Sequence, residues 1–136
     1  MKRSIFFSVA LMLVMSSFLC NAQTTKKEIK SSASNKVEAY YFHNTVRCVT
    51  CKAVESEAKA DLENLYGSQV IFKTLNLEEN ATNPIAEKLK VSGQTLLIVK
   101  GDKKINLTNE GFMYARTNPA KFKLIIKEKV DGLLGL

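Results

Sequence analysis

Two hydrophobic rhythms alternate along this chain, and each change of rhythm marks a new element. Residues 37–42, Val-Glu-Ala-Tyr-Tyr-Phe, are nearly continuous in apolarity from Ala39 onward. That is the pattern of a central strand covered on both faces. From Val54 the spacing lengthens: Val54, Ala58, Leu62 and Leu65 recur every three or four residues, as one face of a helix does. Glu55, Glu57, Lys59, Asp61 and Glu63 fall mostly off that face, and Gly67 is the expected stop. Residues 69–75 read as a second strand, with Val70 and Phe72 on one face and Ile71 on the other. A loop with a solvated Glu78-Glu79 pair follows, and Asn83-Pro84 then opens a short helix through Ile85, Ala86 and Leu89 to Lys90.

Residues 91–94 turn the chain into Thr-Leu-Leu-Ile-Val at 95–99, the strongest strand signal present. Gly101-Asp102 is a hairpin turn. Residues 103–108 alternate polar and apolar, with Ile105 and Leu107 inward, as an antiparallel neighbour would. Residues 111–114, Gly-Phe-Met-Tyr, are expected to pack in the core, with a partner-facing patch as the other reading. Asn118-Pro119 opens the last helix, where Phe122, Ile125, Ile126 and Val130 share a face. The order β-α-β-α-β-β-α predicts an α/β fold: a mixed four-stranded sheet with helices on both faces, formed by residues 36–136.

The first residues follow a different logic. Lys2 and Arg3, an apolar stretch from Ile5 to Leu19, and small residues at Cys20 and Ala22 read as a signal peptide over 1–22, cut before Gln23. The apolar core is shorter than the ~20 residues a spanning helix needs, so no membrane anchor is expected after cleavage. Acylation of Cys20 is the alternative, and the bulky Leu19 before it argues against that. Residues 23–35 are polar, rich in Ser, Thr and Lys, and read as a flexible tether. The expected location is therefore periplasmic or secreted.

Composition refines this picture only slightly. Hydrophobic residues make up 46% and charged residues 24%, ordinary values for one globular domain. The net charge of +7 includes Lys2 and Arg3 of the leader. The remaining surplus is dispersed, with no basic run alternating with aromatics, so nucleic acid is not an expected partner. A monomer is expected.

The candidate chemistry lies between the first strand and the first helix, at Cys48-Val49-Thr50-Cys51. Amide groups at a helix start lack intrahelical partners and the macrodipole is positive there, so a thiolate is stabilised. Arg47 adds a positive charge beside Cys48. Cys48 reads as the nucleophile and Cys51 as the resolving thiol of a reversible disulfide. Two alternatives stand beside this. A closed zinc site needs four ligands; besides the pair the chain offers His43 and Cys20, and Cys20 lies in a segment expected to be removed or lipidated, which leaves the set short. A static bridge between residues three apart closes so short a loop that it stabilises a fold weakly. His43, five residues before Cys48, reads as a loop residue within reach as a base or third ligand, or as an ordinary surface group. No metal or other cofactor is expected.

From about Lys36 to Leu136 the chain resembles the thioredoxin-like superfamily: strand, CxxC at the helix start, Lys52 after the second cysteine, and a late Val91-Ser92-Gly93 turn into an apolar strand and hairpin. Residues 42–52, Phe-His-Asn-Thr-Val-Arg-Cys-Val-Thr-Cys-Lys, and the stretch from Gly93 to Lys104 more specifically resemble the small exported proteins named the nitrophenyl compound nitroreductase subunit (ArsF) family. The resemblance implies a thiol–disulfide oxidoreductase or electron-relay subunit. It would exchange disulfides with an upstream donor or partner protein, in the service of nitroaromatic or arsenical reduction. A second reading makes the reduced Cys48/Cys51 pair a chelator of Cu(I) or As(III). Two departures bear on both. Thioredoxins carry Trp-Cys-Gly-Pro-Cys, and this motif lacks the Trp, Gly and Pro. Gln94, before Thr95, stands where thioredoxins place a cis-proline, so a trans loop is expected there, a non-proline cis bond costing about 3 kcal/mol.

Overall fold

The computed structural model describes residues 36–136. The signal, tether and Cys20 assignments lie outside the described residues. β1 (Val37–His43) leads to α1 (Val49–Tyr66), β2 (Val70–Asn76), α2 (Asn83–Leu89), the hairpin β3 (Thr95–Lys100) and β4 (Lys103–Asn106), then α3 (Thr108–Tyr114) and α4 (Pro119–Leu134). The sheet runs β2-β1-β3-β4. β1 is parallel to β2, with Val37 opposite Val70, and antiparallel to β3, with Tyr41 opposite Leu96. β4 completes the antiparallel hairpin, and Gly101 in its turn has a positive φ of 57°.

Strand alternation divides the core into two layers. Val37, Ala39 and Tyr41 of β1, with Leu96 and Ile98 of β3, face Val54, Ala58 and Leu62 of α1 and Phe122, Ile126 and Val130 of α4. Tyr40 and Phe42, with Leu97 and Val99, face Ala86 of α2. β1 is thus apolar on both faces because both faces are covered, as its unbroken pattern predicts. Gly67 closes α1 at φ 52°, donating its N–H to the Glu63 carbonyl. Pro84 lies in the first turn of α2. Asn118 caps α4, its side chain accepting from the Lys121 N–H at 3.1 Å.

Three assignments change. His43 is not in the loop; it ends β1 and is buried, and its carbonyl accepts from the Leu77 N–H at 2.8 Å. The last strand stops at Asn106 instead of Thr108, and a helix absent from the expected order, α3, follows. The reason is local: Asn106 Oδ1 accepts from the Thr108 N–H at 2.9 Å, turning the chain, while Thr108 Oγ1 accepts from the Leu96 N–H. Leu107 stays buried, but as the residue before a helix. Within α3, Gly111 is buried against Val54, whereas Phe112 and Met113 are exposed, so that group is not wholly core.

Asp61 is the third change. It lies 7% exposed between α1 and α4, with Lys123 Nζ 3.5 Å from Oδ1 and, among the described residues, no hydrogen bond to Oδ2. Burial pushes its carboxyl above the ordinary value of 3.8, and the Lys123 charge only partly offsets that. A carboxyl whose folded pKa is raised binds its proton more tightly when folded. Its stabilising contribution is complete below the unfolded pKa and is lost as pH rises through the folded one. Asp61→Asn should therefore gain stability relative to wild type as pH rises from about 4 to 7. Paired urea titrations across that range measure the difference, and a difference that stays flat or shrinks would contradict it.

Candidate functional site

The loop 44–47 lifts the chain from the sheet and delivers Cys48 as the N-cap of α1. Cys48 is extended (φ −71°, ψ 164°), and its Sγ accepts from the Cys51 N–H at 3.0 Å. The sulfur thus occupies the place where a capping oxygen usually sits, in line with the unpaired amides of the first turn. The two cysteines form a disulfide. Their environments differ: Cys48 is exposed between the exposed Val46 and Val49, and Cys51 is 5% exposed. An incoming group meets the first sulfur, and the second is sheltered behind it. No acidic residue occupies the first turn of α1 to oppose a thiolate.

Behind Cys51 lies an arrangement that the sequence patterns did not disclose. The Tyr41 hydroxyl donates to the Cys51 carbonyl at 2.7 Å and accepts from Gln94 Nε2 at 2.6 Å. Burial pushes this phenol up; the Gln94 bond and Arg47 pull against it, and Glu55 adds to the rise. It is therefore a neutral hydrogen-bonding group, not a base. Gln94, at the place where the resemblance puts a cis-proline, sends its side chain inward to this hydroxyl, and every peptide bond among the described residues is trans. The usable signal was a tyrosine in a doubly buried strand, since a buried hydroxyl needs a partner. Tyr41→Phe leaves the Gln94 amide without this acceptor, and should cost about 1–2 kcal/mol in urea unfolding. A cost below about 0.3 kcal/mol would show that the hydroxyl carries no weight.

The remaining sequence-selected residues spread around this centre. Arg47 is turned to Glu55 of α1 and forms an ion pair with it. Thr95 Oγ1 donates to the Gly93 carbonyl at 2.8 Å, shaping the turn before β3. His43 lies on the same sheet face as Tyr41, the ring centroids 6.1 Å apart. Its Nδ1 meets the Asn44 carbonyl at 2.8 Å. A carbonyl only accepts, so Nδ1 carries the proton and Nε2 is the basic nitrogen. No group of three or more His, Cys, Asp or Glu that could hold a metal occurs among the described residues. No described helix is long and apolar enough to cross a membrane.

The backbone as a whole is similar to solved structures. Trxlp from Edwardsiella tarda is similar at TM-score 0.50 and 16% identity, over 69% of this chain and 84% of that one. The fold is thioredoxin-like. Thioredoxin O2 from Arabidopsis thaliana in the oxidized state (TM-score 0.47, 20% identity, 69% of this chain and 75% of that one) is also similar. So is the germline-specific thioredoxin Deadhead of Drosophila melanogaster (0.47, 20%, 71% and 83%). No protein-family model matches the chain, and no curated protein is similar to it. Two features go beyond the order expected above: the helix α3 and the Gln94–Tyr41–Cys51 contact.

Proposed function

We propose that this protein is a thiol–disulfide oxidoreductase whose working group is the Cys48–Cys51 pair. The observation that carries the reading is the asymmetry of that pair: an exposed sulfur receiving a helix-terminal N–H, with its partner buried behind it. In the reductive direction a thiolate of a donor dithiol protein attacks Cys48 Sγ. The Cys48–Cys51 bond breaks, and its electron pair leaves on Cys51 Sγ, which takes a proton from solvent. The donor's second thiol then attacks the mixed disulfide, loses its proton and releases Cys48 as a thiolate. Run backward, Cys48 attacks a partner disulfide and Cys51 resolves it. Exposed Val46 and Val49 flank the sulfur and offer apolar contact to an extended partner segment.

The exchange is proposed to occur outside the cytosol, with residues 1–22 as the export signal. Delivery of electrons to a partner that reduces nitroaromatic or arsenical compounds is the narrower form of the proposal, supported by the sequence resemblance alone. Equilibration with a dithiothreitol redox series tests the core of it. A reversible two-electron couple between about −270 and −120 mV is expected. A bridge that stays closed down to about −300 mV would be structural, and the proposal would fall.

A further inference from the structure

By sequence, Arg47 belongs to Cys48, its immediate neighbour. The structure pairs its guanidinium with Glu55 Oε2. Glu55 lies one turn beyond Cys51 on α1, and it is held from a third element, since Thr74 Oγ1 on β2 donates to Glu55 Oε1 at 2.9 Å. Loop, helix and strand are thereby joined in one chain of contacts. The two charged side chains are only 25% and 21% exposed, so water and salt screen them less than a surface pair. Arg47 directly precedes Cys48, and Glu55 follows Cys51 by four residues on α1, so the pair brackets the disulfide along the chain. Both of its charges act on the Tyr41 hydroxyl, which is bonded to the Cys51 carbonyl.

We propose that Glu55 is a positioning residue that sets the reactivity of Cys48 by fixing the Arg47 guanidinium on α1, where it is not free to move onto the sulfur. This rests on the exchange proposed above and adds its control. A lone guanidinium next to Cys48 would stabilise the thiolate. Paired with Glu55, it presents a dipole of nearly zero net charge, and the helix terminus is left as the main stabiliser. The other charged or titratable groups toward this corner are Lys52 on the first turn of α1 and, on β1, Tyr41 and His43, whose Nδ1 is engaged by the Asn44 carbonyl. Lys52 is exposed and screened, and Tyr41 is neutral. Releasing Arg47 should lower the Cys48 thiol pKa and favour the reduced pair, making the disulfide a stronger oxidant.

The test is the pH dependence of Cys48 alkylation in the reduced protein, with the dithiothreitol exchange equilibrium measured alongside. Wild type, Glu55→Gln, Arg47→Met, the double variant and Thr74→Val are compared, each checked for folding by circular dichroism. Glu55→Gln should raise the thiolate-to-thiol ratio about tenfold, which is one pKa unit. Thr74→Val, which keeps both charges and frees the carboxylate from β2, should move it the same way by a smaller factor. Most of the Glu55→Gln effect should vanish once Arg47 is Met. An equal shift in both backgrounds would make Glu55 a plain nearby charge and overturn the assignment, as would no shift at all. If the wild-type bridge resists excess dithiothreitol, the exchange reading falls with it. If the bridge opens and the titrations coincide, only the role of Glu55 falls.

Discussion

Replacing Cys48 by Ser should reduce disulfide exchange to background, a loss on the order of 10³-fold or more, whereas Cys51→Ser should turn the protein into a covalent trap. The two variants differ because the two sulfurs do. Cys48 is the exposed sulfur, and in the proposed exchange the mixed disulfide forms on it. Cys51 is buried and acts second in the proposed exchange, so its loss should spare the attack and remove the release. Serine nearly matches cysteine in size, and its oxygen can still cap α1, so the fold should persist in both variants. Intact-mass measurement after mixing with a disulfide-containing peptide reads the outcome. Cys51→Ser should carry one peptide per chain, and Cys48→Ser none. Full turnover by Cys51→Ser would show that resolution does not need the second sulfur. An adduct on Cys48→Ser would reverse the assignment.

Phe122→Ala should lower folding stability by about 3–5 kcal/mol, the cost of emptying a fully enclosed aromatic site. In a domain of this size that corresponds to a drop in Tm of at least about 12 °C. The ring sits where three helices converge. A methyl group placed on Gly111 of α3 would come within 3.3 Å of its Cζ and within 2.8 Å of a Val54 methyl of α1. Nothing flexible borders the site to fill the space, because Val54, Ala58 and Ile126 are themselves fully covered. The void would open beneath the helix that carries the disulfide. Denaturant unfolding checks the figure, and a loss under about 1 kcal/mol would mean that the neighbours collapse into the gap.

What the residue pattern disclosed was whatever depends on period. The unbroken apolar run of β1, the three- and four-residue spacing from Val54, and the Thr-Leu-Leu-Ile-Val run of β3 each have one structural solution, and that solution is present. CxxC was legible as a helix-start motif because backbone amides dictate its value there. Features that depend on a particular partner were not. Asp61 reads as one of several acids on an outer face until α4 packs over it. Arg47 reads as a charge for its neighbour until Glu55, eight residues on, is seen to claim it. The turn into α3 hangs on the side chains of Asn106 and Thr108, which interrupt an alternation that would otherwise have continued. His43 was assigned to the loop because polarity rises there, yet the strand's hydrogen bonding runs one residue further.

β2 has a neighbour on one side only among the described residues, and this bears on how the molecule behaves when concentrated. An unpaired strand with Ile71 exposed invites a second copy to extend the sheet. Lys73, in the middle of that strand, bonds sideways to Glu38 on β1 at 2.7 Å and sits 5.3 Å from the centre of the Tyr40 ring. A second copy pairing along β2 would have to accommodate this charged side chain and its Glu38 partner and strip water from them. The same lysine that fastens the outer strand to its neighbour is thus the kind of charged residue that disfavours edge-to-edge growth of a sheet.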